Sequence, residues 1–204
     1  EEFDLLHEWI GRDDFVSFKL ITGEGGSGKS ALAAAFALKL QDEGWQAGFA
    51  KLDESRTYDL GDRGLIVLDY PEEHLPVVKK FLITLVQQRT DKFHGRRLRV
   101  LLLTRQSQAS WEQSFIDLHA AALLDPDPIS LRPLAPGSRI ALEIFLGAQE
   151  AANETFPLAP LEEEIDQKAF ETWLARDERH CLPLFIVAAG VHRQLHRWLR
   201  VEQQ

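Results

Sequence analysis

Apolar residues in the first two thirds of the chain form short runs that are bounded by polar or glycine-rich segments. The longest runs predict strands at Phe15–Ile21, Leu65–Tyr70 and Leu98–Thr104, and shorter ones predict strands at Ala47–Leu52 and Ile129–Leu134. A continuous apolar run is typical of a strand that is buried on both faces, as in a parallel sheet covered by helices.

Helical spacing separates these predicted strands. Phe3, Leu6 and Ile10 lie at i, i+3 and i+7, which predicts an amphipathic helix over residues 2–11. Further helices are predicted at Ala31–Leu40, His74–Arg89 and Ser110–Leu124. Strands that alternate with helices indicate βαβ units, so the pattern predicts an α/β fold with a parallel sheet.

After residue 135 the pattern changes, because only helical spacing remains. Helices are predicted at Ser138–Asn153, Leu161–Ala175 and Pro183–Arg200. We therefore expect two domains, an α/β domain over residues 1–135 and a small all-helical domain over residues 136–204.

A glycine-rich segment between the first strand and the helix that follows it carries the clearest chemical signal. Residues 23–30 read GEGGSGKS, which matches the phosphate-binding (Walker A) pattern G-x-x-x-x-G-K-[ST] in the strand–loop–helix context that this motif requires. Glycines allow the loop to turn its N–H groups towards phosphates, and the following helix adds its positive N-terminal end. The residues predicted to bind nucleotide are Gly23, Glu24, Gly25, Gly26, Ser27, Gly28, Lys29, Ser30 and Ala31.

Within this loop Lys29 is expected to bridge the β- and γ-phosphates, and the Ser30 hydroxyl is expected to ligate Mg²⁺. No N-K-x-D guanine motif occurs in the sequence. We therefore expect ATP or ADP, together with Mg²⁺, as the ligands.

Acidic and basic residues follow two of the predicted strands. Asp69 ends one strand and is placed to hold Mg²⁺ through water, while Glu72 or Glu73 can orient the attacking water. Arg105 follows Thr104 and can reach the γ-phosphate. The candidate catalytic residues are therefore Glu72, Lys29 and Arg105. The alternatives are structural: a strand-end cap, glutamates that favour a helix N-terminus, and a solvated arginine beside the basic stretch of Arg96, Arg97 and Arg99.

Composition narrows the class of protein further. The formal charge of −9 argues against binding to nucleic acid, and no apolar run is long enough to predict a membrane span. The single cysteine, Cys181, fits a reducing cytoplasm, and the lack of methionine suggests a piece of a longer protein. His192 and His196 are at i, i+4 without a third ligand, so an exposed helix face is favoured over a metal site.

Taken together, GEGGSGKS, LIVLDYPEE, LRVLLLTR and CLPLFIVAAG resemble the STAND class of signalling ATPases, which includes NB-ARC and NACHT domains. The similarity is greatest to bacterial members that carry downstream repeats. The resemblance implies a sheet order of 5-1-4-3-2, and it aligns the family's acidic motif with Asp69, Glu72 and Glu73 and its arginine with Arg105. It also implies that Pro183 packs on the adenine.

The same resemblance implies a function. ADP would hold the two domains in a closed state, and exchange for ATP would release an assembling state that hydrolyses ATP slowly. Effector and sensor domains, and a homo-oligomer on activation, would be the partners. Tyr70 departs from the small residue usual in the family, and Cys181 replaces a glycine. The alternative is an AAA or origin-recognition type of ATPase that acts on DNA.

Overall fold

The computed structural model describes residues 1–51, 62–88, 96–117, 121–135, 137–155 and 167–202. The chain divides into two compact units, one formed by Glu1–Glu24 with Lys29–Leu131 and the other by Gly25–Gly28 with Arg132–Gln204. We call them the sheet unit and the helical unit. No helix among the described residues combines the length and the apolar composition that a membrane span requires.

The sheet unit contains five strands, namely β1 (Val16–Gly23), β2 (Gln46–Phe49), β3 (Arg63–Asp69), β4 (Arg97–Thr104) and β5 (Ile129–Leu131). All pairings are parallel, and the order is β2-β3-β4-β1-β5. This is the predicted order of 5-1-4-3-2, so the prediction of a parallel P-loop sheet is confirmed. β4 lies between β1 and β3, with Thr22 beside Thr104 and Asp69 beside Leu103.

Side chains of these strands alternate between two apolar layers. On one face Phe18, Ile66 and Val100 pack with residues of α3 (Leu75–Gln88) and α4 (Gln108–Asp117). On the other face Ile21, Val67 and Leu101 pack with residues of α1 (Glu2–Gly11) and α2 (Lys29–Asp42). A sheet covered on both faces explains why the central strands read as continuous apolar runs.

The helical unit contains α5 (Arg139–Thr155), α6 (Gln167–Ala175) and α7 (Pro183–Glu202), with a short 3₁₀ turn at Glu178–Cys181 before α7. Its apolar core is formed by buried residues of these elements, namely Ala141, Phe145, Phe170, Leu174, Cys181 and Ile186.

Several predicted element bounds were wrong. β5 ends at Leu131 instead of Leu134, because Pro133 has no N–H and the Leu134 N–H donates to the Cys181 carbonyl at 2.8 Å. β2 ends at Phe49, earlier than expected, and Leu52 lies outside the described residues.

The helices also differ from their predicted bounds. The predicted helix over 110–124 corresponds to α4 and a short 3₁₀ turn at Ala121–Leu123, and residues 118–120 lie outside the described ranges. Residues 161–166 of another predicted helix, together with the side chain of His196, also lie outside them.

Candidate functional site

The glycine-rich loop joins the end of β1 to the start of α2. Gly26 and Gly28 have φ values of 86° and 92°, in the left-handed region that favours glycine. A methyl group on Gly26 would lie 3.2 Å from Cβ of Leu184, closer than ordinary contact, so a side chain is disfavoured there for two reasons. The side chain of Ser27 is buried, and its Oγ has no hydrogen-bond partner among the described residues.

Lys29 is the first residue of α2 and is only 3% exposed. Its Nζ donates to the carbonyl oxygens of Gly23 at 2.7 Å and Glu24 at 2.8 Å, so the amino group is turned back onto its own loop. Burial lowers the pKa of Lys29 and the Arg105 charge adds to this shift, whereas the Asp69 and Glu72 charges oppose it. The four candidate residues therefore lie in one electrostatic environment.

Ser30 and Asp69 are joined directly. The Ser30 Oγ donates to Oδ2 of Asp69 at 2.7 Å, which brings the second residue of α2 to the carboxyl end of β3. The two residues are 39 positions apart in the sequence, and both were predicted to hold Mg²⁺. A hydroxyl and a carboxylate are oxygen donors of the kind that Mg²⁺ prefers, so the pair fits that metal.

Glu72 lies in a 3₁₀ turn, Pro71–His74, that follows β3. Its Oε1 accepts a hydrogen bond from the backbone N–H of Arg105 at 3.1 Å, so the carboxylate is fixed to the end of β4. The other oxygen, Oε2, is shielded from solvent and has no partner in the described part of the chain. Glu73 is exposed, so the two glutamates have different environments.

Arg105 is exposed, and its guanidinium contacts Tyr70. Nη2 donates to the Tyr70 hydroxyl at 3.2 Å, and Cζ lies 4.9 Å from the centre of the Tyr70 ring. The hydrogen bond to Tyr70 is the main cause of a raised pKa at Arg105. The sequence indicated Tyr70 only as a departure from a family pattern, and no local spacing predicts this contact.

Thr104 was not predicted as a site residue beyond its place beside Arg105. It is fully buried, and its hydroxyl accepts from the Gln106 N–H at 3.0 Å and the Trp111 Nε1–H at 3.1 Å. These bonds fix the last residue of β4 to the start of α4.

Pro183 begins α7 in the helical unit, to which Gly25–Gly28 also belong. The N–H of Leu184 donates to the Gly26 carbonyl at 3.2 Å, and a methyl group on Gly28 would lie 3.8 Å from Cγ of Pro183. Within this unit the start of α7 therefore contacts the phosphate loop at Gly26. The contact of Leu184 was not predicted.

Comparisons with known proteins give the fold. No protein-family model matches the sequence, and no curated protein is similar to it. Similar solved structures include NtrX from Brucella abortus in complex with ADP, with a TM-score of 0.57 and 17% identity over 92% of this chain and 48% of that one. Another is Drosophila ORC bound to DNA, with a TM-score of 0.53 and 16% identity over 98% of this chain and 59% of that one.

The chain thus spans about half the length of the structures it resembles. At this level of sequence identity the similarity concerns the fold alone. A P-loop NTPase fold agrees with the strand order of the sheet and with the position of the glycine-rich loop between β1 and α2. The chain has the fold of a P-loop NTPase.

Proposed function

We propose that the chain binds ATP or ADP with Mg²⁺ on the loop at residues 23–30 and acts as a STAND-type switch that hydrolyses ATP slowly. The observation that carries the proposal is the hydrogen bond of 2.7 Å between Ser30 and Asp69. It unites the loop motif and the acidic strand end, which are distant in sequence, as a magnesium nucleotide site requires.

Phosphate binding is assigned to Lys29 and the loop amides. The Lys29 amino group donates only to loop carbonyls among the described residues, and burial disfavours its charged form. A phosphate supplies the counter-charge that the buried ammonium needs, so binding relieves this cost. This accounts for a buried lysine at the start of a helix, where an unpaired charge is otherwise unfavourable.

Magnesium is assigned to Ser30, with Asp69 acting through water. Among the described residues no three acidic, histidine or cysteine side chains cluster as a metal site. Mg²⁺ usually keeps several waters and takes one or two protein oxygens together with substrate phosphates, so this sparse donor set favours it. Mg²⁺ held there would neutralise charge on the phosphates.

Hydrolysis is assigned to Glu72 in preference to Glu73. Glu72 is anchored through one carboxylate oxygen while the other has no partner among the described residues. An anchored carboxylate with an available oxygen suits the positioning of a water. Glu73 is exposed, and its carboxylate has no such anchor in the described part of the chain. Arg105 is the proposed contact for the γ-phosphate.

The switch is assigned to the start of α7. The hydrogen bond from the Leu184 N–H to the Gly26 carbonyl, within the helical unit, supports this assignment. We further propose that Pro183 packs on the adenine, as the STAND resemblance implies. A switch requires that its two states have different affinities for ADP and ATP. The same proposal includes effector and sensor domains, self-association and a cytoplasmic location.

Substitution of Lys29 tests the binding site. Lys29→Ala should abolish measurable binding of a fluorescent ADP analogue in the presence of Mg²⁺, because it removes the phosphate counter-charge. The matched control is Lys39→Ala, an exposed lysine on the same helix, which should bind like the wild type. Equal affinity in Lys29→Ala and Lys39→Ala would reject the loop as the site.

A DNA-acting ATPase of the AAA or origin-recognition type is the second candidate. The similarity of fold to Drosophila ORC bound to DNA favours it, and the formal charge of −9 opposes it. The measurement that separates the two is ATP turnover with and without duplex DNA. Stimulation by DNA, with binding that weakens steeply as salt rises, would favour this candidate over the switch.

A further inference from the structure

Tyr70 has an unusual backbone conformation at the point where β3 ends. Its φ is 48°, and it is the only described residue other than glycine with a positive φ. A bulky residue in the left-handed region carries a conformational cost and persists only when its surroundings fix it. Such residues concentrate at functional sites, which makes the contacts of Tyr70 informative.

Backbone hydrogen bonds hold Tyr70 in this conformation. Its N–H donates to the Leu103 carbonyl at 3.1 Å, and its own carbonyl accepts from the Glu73 N–H at 3.0 Å. The first bond connects the residue to β4, and the second closes the 3₁₀ turn that carries Glu72. The turn direction thus places the Tyr70 side chain beside the end of β4.

The Tyr70 side chain holds Arg105 by two different interactions. Its hydroxyl accepts from Nη2 at 3.2 Å, and its ring lies under the guanidinium at 4.9 Å. An exposed arginine otherwise samples many rotamers, and each loses entropy when a ligand fixes it. Only one guanidinium donor is used by Tyr70, and the described residues offer no other acceptor to the remaining N–H groups.

We propose that Tyr70 is a positioning residue that pre-orients Arg105 for the terminal phosphate of a nucleoside triphosphate. The inference rests on the proposed function, because it assumes that the loop binds nucleotide. Tyr70 restricts the guanidinium before the ligand arrives, so less conformational freedom is lost on binding. ADP lacks the γ-phosphate, so Tyr70 adds to the preference for ATP over ADP without contributing to ADP affinity.

The test compares two substitutions of Tyr70. Tyr70→Asn removes the ring and the phenol but keeps a residue that tolerates the left-handed conformation. Tyr70→Phe keeps the ring and removes only the hydroxyl. Dissociation constants are measured for Mg-ADP and for a non-hydrolysable Mg-ATP analogue. The ratio of the two dissociation constants is the readout. A loss of loop structure would weaken the binding of both ligands, whereas loss of a positioning residue would weaken only the binding of the ATP analogue.

In Tyr70→Asn the preference for the triphosphate should fall about two- to fivefold, the size expected for an exposed cation–π contact, while ADP affinity stays constant. Tyr70→Phe should lose a smaller part of the preference. In an Arg105→Ala background Tyr70→Asn should have no further effect on the ratio, because the group that it positions is absent.

Three results would overturn the inference: an unchanged ratio in both variants, equal weakening of both ligands, or a full effect of Tyr70→Asn without Arg105. If Tyr70→Asn does not fold, Tyr70→Phe alone decides, and wild-type behaviour there rejects the role of the hydroxyl. A wild-type chain that binds neither nucleotide overturns the proposed function itself. A wild type that binds both with no effect at Tyr70 overturns only this inference.

Discussion

The two ends of β4 each carry an arginine, and the two arginines have opposite environments. Arg99, near the amino end of the strand, is fully buried, whereas Arg105 follows the carboxyl end and is exposed. They are six positions apart and belong to the same sheet unit. Their partners explain why one is structural and the other is a candidate ligand contact.

Both terminal nitrogens of the Arg99 guanidinium donate to backbone carbonyls, whereas its buried Nε has no partner among the described residues. Its Nη1 donates to the Asp14 carbonyl at 2.7 Å and its Nη2 to the Arg12 carbonyl at 2.6 Å, with longer bonds to the carbonyls of Ile10 and Leu98. Burial lowers the pKa of Arg99 to about 10, so it remains charged near neutral pH. Arg99 thereby fastens the segment between α1 and β1 to the sheet.

At the carboxyl end the polar groups are only partly used. Arg105 contacts Tyr70 through one donor, and one oxygen of Glu72 has no partner among the described residues. Ligands of parallel α/β sheets bind at the carboxyl ends of the strands, where loops can present such groups. The difference between the two arginines is that backbone carbonyls hold the buried one, whereas a single side chain holds the exposed one, which keeps donors for a ligand.

The largest effect on stability is expected at the amino end. Arg99→Met should lower the free energy of unfolding by about 3 kcal/mol, because buried carbonyls lose their donors. Arg105→Met, the same substitution at the other end, should change it by less than about 0.5 kcal/mol because the residue is exposed. Urea unfolding of both variants gives the measurement. Similar losses in the two would remove the distinction between the ends.

A kinetic effect is expected at the carboxyl end. Glu72→Gln should slow ATP hydrolysis about a hundredfold while ATP affinity changes little, since a group that positions or deprotonates water acts in the transition state. Glu73→Gln is the control, as Glu73 is exposed and adjacent. Single-turnover assays with Mg-ATP give the rates. Loss of activity in Glu73→Gln, with Glu72→Gln unaffected, would contradict the assignment.

The smallest effect concerns the start of α7 and extends the comparison to the helical unit. Pro183→Ala should weaken the binding of ADP by about 1 kcal/mol, which is the free energy expected for the loss of one apolar contact. Its ADP-bound melting transition should also be broader than that of the wild type, because bound nucleotide stabilises less of the chain. Pro76→Ala, at an exposed proline of α3, is the control. If Pro183→Ala matches Pro76→Ala in ADP affinity and in its melting transition, Pro183 does not pack on the adenine.

The sequence predicted the sheet because its central strands are buried on both faces and therefore leave long apolar runs. It predicted the loop because a phosphate cradle needs glycines and a lysine at fixed spacing. The burial of Arg99 was not predictable, because the sequence shows it only as part of a basic stretch with Arg96 and Arg97. Three of its four acceptors are the carbonyls of Ile10, Arg12 and Asp14, which no local pattern brings to β4.

Tyr70 shows the same limit within the candidate site. A left-handed conformation is normally inferred from glycine or asparagine, and a tyrosine gives no such signal. Its contact with Arg105 depends on the pairing of β3 with β4, which places residues 35 positions apart side by side. Local sequence fixes the kinds of side chain available, whereas strand pairing determines which of them meet.

The most direct test of nucleotide binding is chemical analysis of what the protein retains through purification. The purified wild-type chain is denatured, and the released small molecules are separated by chromatography and identified by mass spectrometry. We expect near-stoichiometric ADP from the wild type and from Lys39→Ala, and none from Lys29→Ala. A wild-type chain that releases no nucleotide and also fails to bind added Mg-ADP would contradict the account.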